Sequence, residues 1–127
     1  MEKCVSTVSP TVVLCVDDDP AGLEARRALL SMAGYDVLTA GSGDIALRVF
    51  RRRNVDLVIT DYFLPHLTGI EIMLAMKQLK PEVLVVVMMI STAEPPAEAA
   101  QADLVLTKGM EPSNFLAAIA KLVAGRR

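Results

Sequence analysis

The sequence has no tryptophan, a single histidine and only two cysteines in 127 residues. Cys4 lies in a polar opening stretch and Cys15 in the first apolar run. Two cysteines so placed frame no disulfide scaffold and point to a reducing compartment. Zinc-ligand spacing is missing as well. There is no basic excess: 13 Lys and Arg stand against 15 Asp and Glu, a formal charge of −2. A chain without surplus cations is not expected to bind nucleic acid directly. Long apolar runs are absent too. The longest, "VLVVVMMI" at 83–90, falls far short of the roughly 20 residues that cross a bilayer. The first residues lack the apolar region and cleavage site of a signal peptide. The expectation is a cytoplasmic protein with no membrane partner.

What remains is enough for one folded domain: 53% hydrophobic and 22% charged residues. Residues 1–10 read as a flexible tail and 11–125 as the domain. Five short stretches rich in Val, Ile and Leu read as strands: "TVVLCVD" (11–17), "DVLTA" (36–40), "DLVITD" (56–61), "VLVVVMMIS" (83–91) and "DLVLTK" (103–108). The continuous ones imply burial on both faces. Helical patterns lie between them. Residues 20–34 open on Pro20, stop at Gly34, and place Leu23, Leu29, Leu30 and Ala33 inward. Residues 42–54 begin at a Ser42 cap, with Ile45 and Val49 inward and Leu47 and Phe50 less neatly so. Ile72, Ala75, Met76 and Leu79 set the inner face of 68–80, and Phe115, Ile119 and Leu122 that of 111–127. Only "TAEPPAEAAQA" (92–102) joins the last two strands. Its two prolines leave room for one or two turns over 96–102. Alternation of this kind demands right-handed crossovers and a parallel sheet between two helical layers.

The run Asp17, Asp18, Asp19 ends the first strand, and Asp61 ends the third. Ligands of such sheets bind beyond the carboxyl ends of the strands. If strands one and three are neighbours, Asp17, Asp18 and Asp61 meet there. Three carboxylates in one pocket repel unless a hard cation sits among them. Mg²⁺ suits this, because it takes a few carboxylates and keeps phosphate and water as its other ligands. Lys108, ending strand five, supplies a point charge for a phosphoryl oxygen. Ser91 or Thr92, after strand four, supplies a hydroxyl. These are the parts phosphoryl transfer needs. Each has a plainer use: turn carboxylates, turn hydroxyls or a surface lysine. Only their joint placement lifts them. His66 reads as a loop surface residue, the arginines at 51–53 as a solvated helix end, and the methionines and Cys15 as core.

"VVLCVDDDP", "LVITDYFLPHLTGIE", "VVMMISTA" and "LVLTKG" resemble, in order, the signature segments of bacterial response-regulator receiver domains. The resemblance implies a flavodoxin-like (βα)5 three-layer α/β sandwich, with parallel strand order 2-1-3-4-5 and here a shortened fourth helix. It implies a phosphorelay protein that accepts a phosphoryl group from a histidine kinase or phosphotransfer protein and modulates an unknown downstream protein. Asp61 corresponds to the phosphoacceptor. Asp18 and Asp61 correspond to Mg²⁺ ligands with the carbonyl of Phe63, and Asp17 helps directly or through water. Asp19 holds the variable third place and points outward. Ser91 best fits the switch hydroxyl, with Thr92 second, and Lys108 fits the phosphate-binding lysine.

Three departures stand out. Gly109 follows the lysine where the family commonly has a proline after a cis bond. A cis bond before a non-proline residue costs roughly 3 kcal/mol, so a trans, differently set Lys108 loop stands as the alternative and the sequence leaves the isomer open. Val105 stands where an aromatic often switches rotamer. Only 17 positions separate Ser91 from Lys108. Three other functions compete with this one. A phosphatase of the haloacid dehalogenase type needs a second Asp two residues after the nucleophile, where this chain has Phe63. A flavodoxin would not meet an FMN phosphate with three carboxylates. A degenerate receiver, binding partners without phosphate, keeps the fold and drops the chemistry.

Overall fold

A computed structural model describes residues 10–90 and 94–126. Ser91 and Thr92 therefore lie outside the described residues, as do Cys4 and most of the expected tail. The elements are β1 (Val12–Val16), α1 (Pro20–Met32), β2 (Asp36–Ala40), α2 (Gly43–Arg52), β3 (Leu57–Asp61), α3 (Gly69–Leu79), β4 (Leu84–Met89), a 3-10 turn (Ala97–Gln101), β5 (Leu104–Thr107) and α4 (Pro112–Gly125). All strand pairs are parallel, in the order β2-β1-β3-β4-β5. This is the flavodoxin-like arrangement expected.

Successive side chains of a strand point to opposite faces. On one face Val13, Cys15, Leu57, Ile59, Val86 and Met88 pack with Leu30 of α1 and with Phe115 and Ile119 of α4. On the other, Leu14, Val16, Val58, Val85 and Val87 pack with Ala46 and Phe50 of α2 and with Ile72, Met73 and Met76 of α3. Covering both faces requires the unbroken apolar runs of β1, β3 and β4. The edge strands β2 and β5 are less buried and carry polar residues.

Helix starts follow local chemistry. Asp19 caps α1 by accepting from the Gly22 amide, with Pro20 in the first turn. Ser42 caps α2 through the Ile45 amide. Thr68 and Glu71 form a reciprocal capping box on α3. The short connection before β5 forms a single 3-10 stretch in which only Ala99 is buried. Too few apolar residues lie there to dock a full helix.

Three helical positions differ from the expected faces. Ile45 is exposed, and α2 instead turns Ala46 and Phe50 inward. The aromatic ring carries more burial free energy than the isoleucine, and Ala46 lets α2 approach the sheet. Ala33 is exposed because α1 ends at Met32 and Ala33 is its C-cap. Leu79 is exposed at the last turn of α3, while Ile70 and Met73 join Ile72 and Met76 in the core.

Candidate functional site

The carboxyl ends of β1, β3 and β5 converge on one point. β3 lies beside β1 in register Val16↔Thr60, so Asp61 and Asp17 emerge next to each other. Lys108 follows β5, and its amide donates to the Met89 carbonyl at 2.7 Å, which fixes where its side chain starts. One carboxylate oxygen each of Asp17, Asp18 and Asp61 lies within 4.8 Å of the others. Asp17 and Asp61 are buried and Asp18 is exposed. Asp19 stays out of the cluster. Its amide donates to Asp17 Oδ1 at 2.9 Å while its side chain caps α1.

Cations answer these charges. Lys108 Nζ donates to Asp61 Oδ2 at 2.8 Å and stands 4.0 Å from Asp17 Oδ2. Arg26, from α1, approaches from another side. Its Nη1 is 3.6 Å from Asp17 Oδ2 and 3.7 Å from Asp61 Oδ1. Among the described residues neither Arg26 Nη1 nor Asp61 Oδ1 has a hydrogen-bond partner, although both atoms are buried.

The two buried carboxyls titrate differently. Burial, reinforced by the Asp17 carboxyl, pushes Asp61 up to about 6, against the pull of Lys108 and Arg26. Burial opposes ionisation of Asp17 too. There the bonds from Asp61 and the Asp19 amide prevail, helped by Lys108 and Arg26, and hold its carboxyl below the ordinary value. In the metal-free protein the pair therefore ionises at Asp17 first. Burial raises the Cys15 thiol to about 12, which makes it an inert core residue.

Backbone geometry fixes the place of Asp61. Gly69 opens α3 against β3, and its amide donates to the Tyr62 carbonyl at 2.8 Å. A Cβ at Gly69 would lie 2.3 Å from the Asp61 carbonyl oxygen, so no other residue fits without a backbone shift. Phe63 is exposed and meets the Tyr62 ring edge-on. His66 is exposed in the left-handed region at φ 70° and joins no metal-ligand cluster among the described residues. No peptide bond among the described residues is cis, so Lys108–Gly109 is trans, with Gly109 at φ 87°. Val105 is exposed on the edge strand β5.

This donor set suits a hard divalent cation: three carboxylate oxygens close together, one of them from a residue with an orphaned buried oxygen. The sequence reading placed Asp17, Asp18, Asp61 and Lys108 at strand ends and missed Arg26. A signal for it exists. Leu23, Arg26 and Leu30 follow the i, i+3, i+7 spacing of one helix face, so the arginine interrupts an inward stripe.

Residues 13–120 match the family model described as the response regulator receiver domain. The chain belongs to this family of two-component signalling proteins. It is 36% identical over 91 residues to the transcriptional regulatory protein GlrR of Escherichia coli, covering 72% of this chain and 20% of that protein. The chain therefore spans about a fifth of that relative's length. A response regulator receiver domain protein from Clostridium thermocellum superposes with a TM-score of 0.84 at 28% identity, covering 91% of this chain and 96% of that one. The response regulator TrrA of Thermotoga maritima, solved with Mg²⁺ and BeF, gives 0.82 at 27% identity, with 88% and 98% coverage. The same protein has been solved in complex with the histidine kinase ThkA. Among the described residues no helix is long and apolar enough to cross a membrane.

Proposed function

We propose that this chain is a phosphoacceptor receiver that takes a phosphoryl group onto Asp61 from a phosphohistidine donor. One observation carries the reading. Asp61 ends β3 buried, with Lys108 bonded to one oxygen and the other oxygen without a partner among the described residues, beside Asp17 and Asp18. That is a carboxylate held for reaction, with a cation placed for the charge that arrives.

In the step proposed, an Asp61 oxygen forms a bond to phosphorus and the P–N bond to the donor imidazole breaks. The ring nitrogen keeps the electron pair and takes a proton from solvent. Lys108 passes from the carboxylate to a phosphoryl oxygen. Asp17, Asp18, Asp61 and the Phe63 carbonyl are the groups that would hold Mg²⁺, which when bound neutralises phosphoryl oxygens. Ser91, or Thr92, is the hydroxyl proposed to follow the phosphate. The donor is a histidine kinase or phosphotransfer protein, by analogy with the kinase complex of TrrA. The rest of the proposal is a domain over 11–125, a cytoplasmic setting, and an output through protein contacts rather than turnover of a substrate.

The phosphatase alternative fails for want of a second carboxylate, since an exposed phenyl group occupies the position two residues past Asp61. Intact-mass measurement after incubation with Mg²⁺ and a small acyl phosphate tests the reading. A gain of one phosphate is expected in the unsubstituted chain and none in Asp61→Asn. No gain in the unsubstituted chain would leave only the degenerate, phosphate-independent receiver.

A further inference from the structure

Arg26 has no place in the acceptor set above, yet its guanidinium stands in the middle of it. Its side chain is 12% exposed. Nη1 faces two buried carboxylates at 3.6 and 3.7 Å and closes a hydrogen bond with neither. The attraction is therefore Coulombic and free of the directional bond that would lock the side chain. Lys108 already holds the opposite oxygen of Asp61 at 2.8 Å. Arg26 thus faces the Asp61 oxygen that Lys108 leaves open and shares Asp17 Oδ2 with Lys108, which stands 4.0 Å from it.

We propose that Arg26 is the resident cation of the acidic pocket, neutralising Asp17 and Asp61 in the metal-free protein and competing with Mg²⁺ for the same two carboxylates. A dication among Asp17, Asp18 and Asp61 sets like charge beside the guanidinium, so metal entry and an inward Arg26 oppose each other. The fold gives the side chain another place to go. Arg26 lines an adjoining cavity of about 310 Å³ together with Gly22, Leu29, Met88, Phe115 and, on the side of the pocket, Lys108. A long, flexible side chain can swing there without disturbing the core. The pocket would then have two states: guanidinium inward without metal, guanidinium in the cavity with metal.

This inference rests on the metal role proposed for the pocket. The test is calorimetric Mg²⁺ titration of the full chain, its Arg26→Met and its Arg26→Lys variants, with melting in chelator and in saturating Mg²⁺. Arg26→Met keeps the apolar bulk and removes the charge. Its Mg²⁺ dissociation constant is expected to be about tenfold lower than that of the unsubstituted chain. Arg26→Lys keeps the charge and should stay within about threefold. Melting of Arg26→Met should drop in chelator and recover in Mg²⁺, giving a larger metal-dependent rise. Weaker or unchanged Mg²⁺ binding in Arg26→Met would overturn the inference and leave the metal site standing. Absence of Mg²⁺ binding in every form would overturn both. The unsubstituted chain gives an independent reading: the Arg26 Nε–H resonance should shift on saturation with Mg²⁺. An unmoved resonance contradicts the competition even if Arg26→Met does not fold.

Discussion

Asp61 sits where burial and a neighbouring carboxyl disfavour its charge, and that has a consequence for stability. Its ordinary value of 3.8 rises to about 6 in the folded, metal-free chain. Between these values the folded state binds a proton that the unfolded state has lost. Stability of the metal-free protein should therefore fall as pH rises from about 4 through about 6, by roughly 1–3 kcal/mol. Asp17, held low, acts in the opposite sense and only below its ordinary range. Asp61→Asn removes the buried charge, so it should flatten this slope and stabilise the chain near neutral pH. Urea melts in chelator at pH 5 and pH 7.5 check this; a stability of the unsubstituted chain that rises over that interval would refute it. The residues of this pocket differ in how legible they were. Asp17, Asp18, Asp61 and Lys108 end strands, and a parallel sheet sends all strand ends to one edge. Arg26 sits on a helix, where its direction depends on how α1 rotates against the sheet.

At the scale of elements, strands were read closely and helix faces less so. β2 occupies 36–40, as its sequence pattern indicates, because β-branched runs between turn residues have few other solutions. The inner face of α2 was not legible. Ile45 and Ala46 are adjacent on the helix, and the space above β1 and β3 decides which turns inward. The shortened connection before β5 was legible from its prolines. The junction of β3 and α3 is the tightest local constraint on the site, since the start of α3 touches the Asp61 carbonyl. Gly69→Ala forces the backbone apart there and should cost about 1–3 kcal/mol. Because the shift falls on the strand that ends in Asp61, the phosphate uptake proposed there should slow as well. Denaturant melts and uptake rates on the same sample check the pair of effects. An alanine variant as stable and as fast as the unsubstituted chain would show that the contact relaxes freely.

At the scale of the molecule, two apolar layers on one sheet hold the site without contributing to its chemistry. Phe50 is fully buried in the α2–α3 layer, and Phe50→Ala should cost about 3–5 kcal/mol in a single cooperative transition. Loss of that layer alone, seen as two separate transitions, would mean that the two halves fold independently. Layer order was readable from the alternation of strands and helices, whereas the edge at β5 came only from the strand order that the family resemblance implies and that the structure bears out. Val105 faces solvent there, and nothing in the apolar run 104–106 announces an edge strand.

The central claim is that one carboxylate of this edge, Asp61, receives the phosphoryl group. Borohydride reduces an aspartyl phosphate to homoserine, which marks the acceptor covalently. The most direct measurement is to phosphorylate the full chain with a small acyl phosphate and Mg²⁺, reduce it, and sequence the peptides by mass spectrometry. The expected result is homoserine at position 61 alone, dependent on Mg²⁺. Homoserine at 17 or 18, or a stable phosphate on His66, would contradict the account.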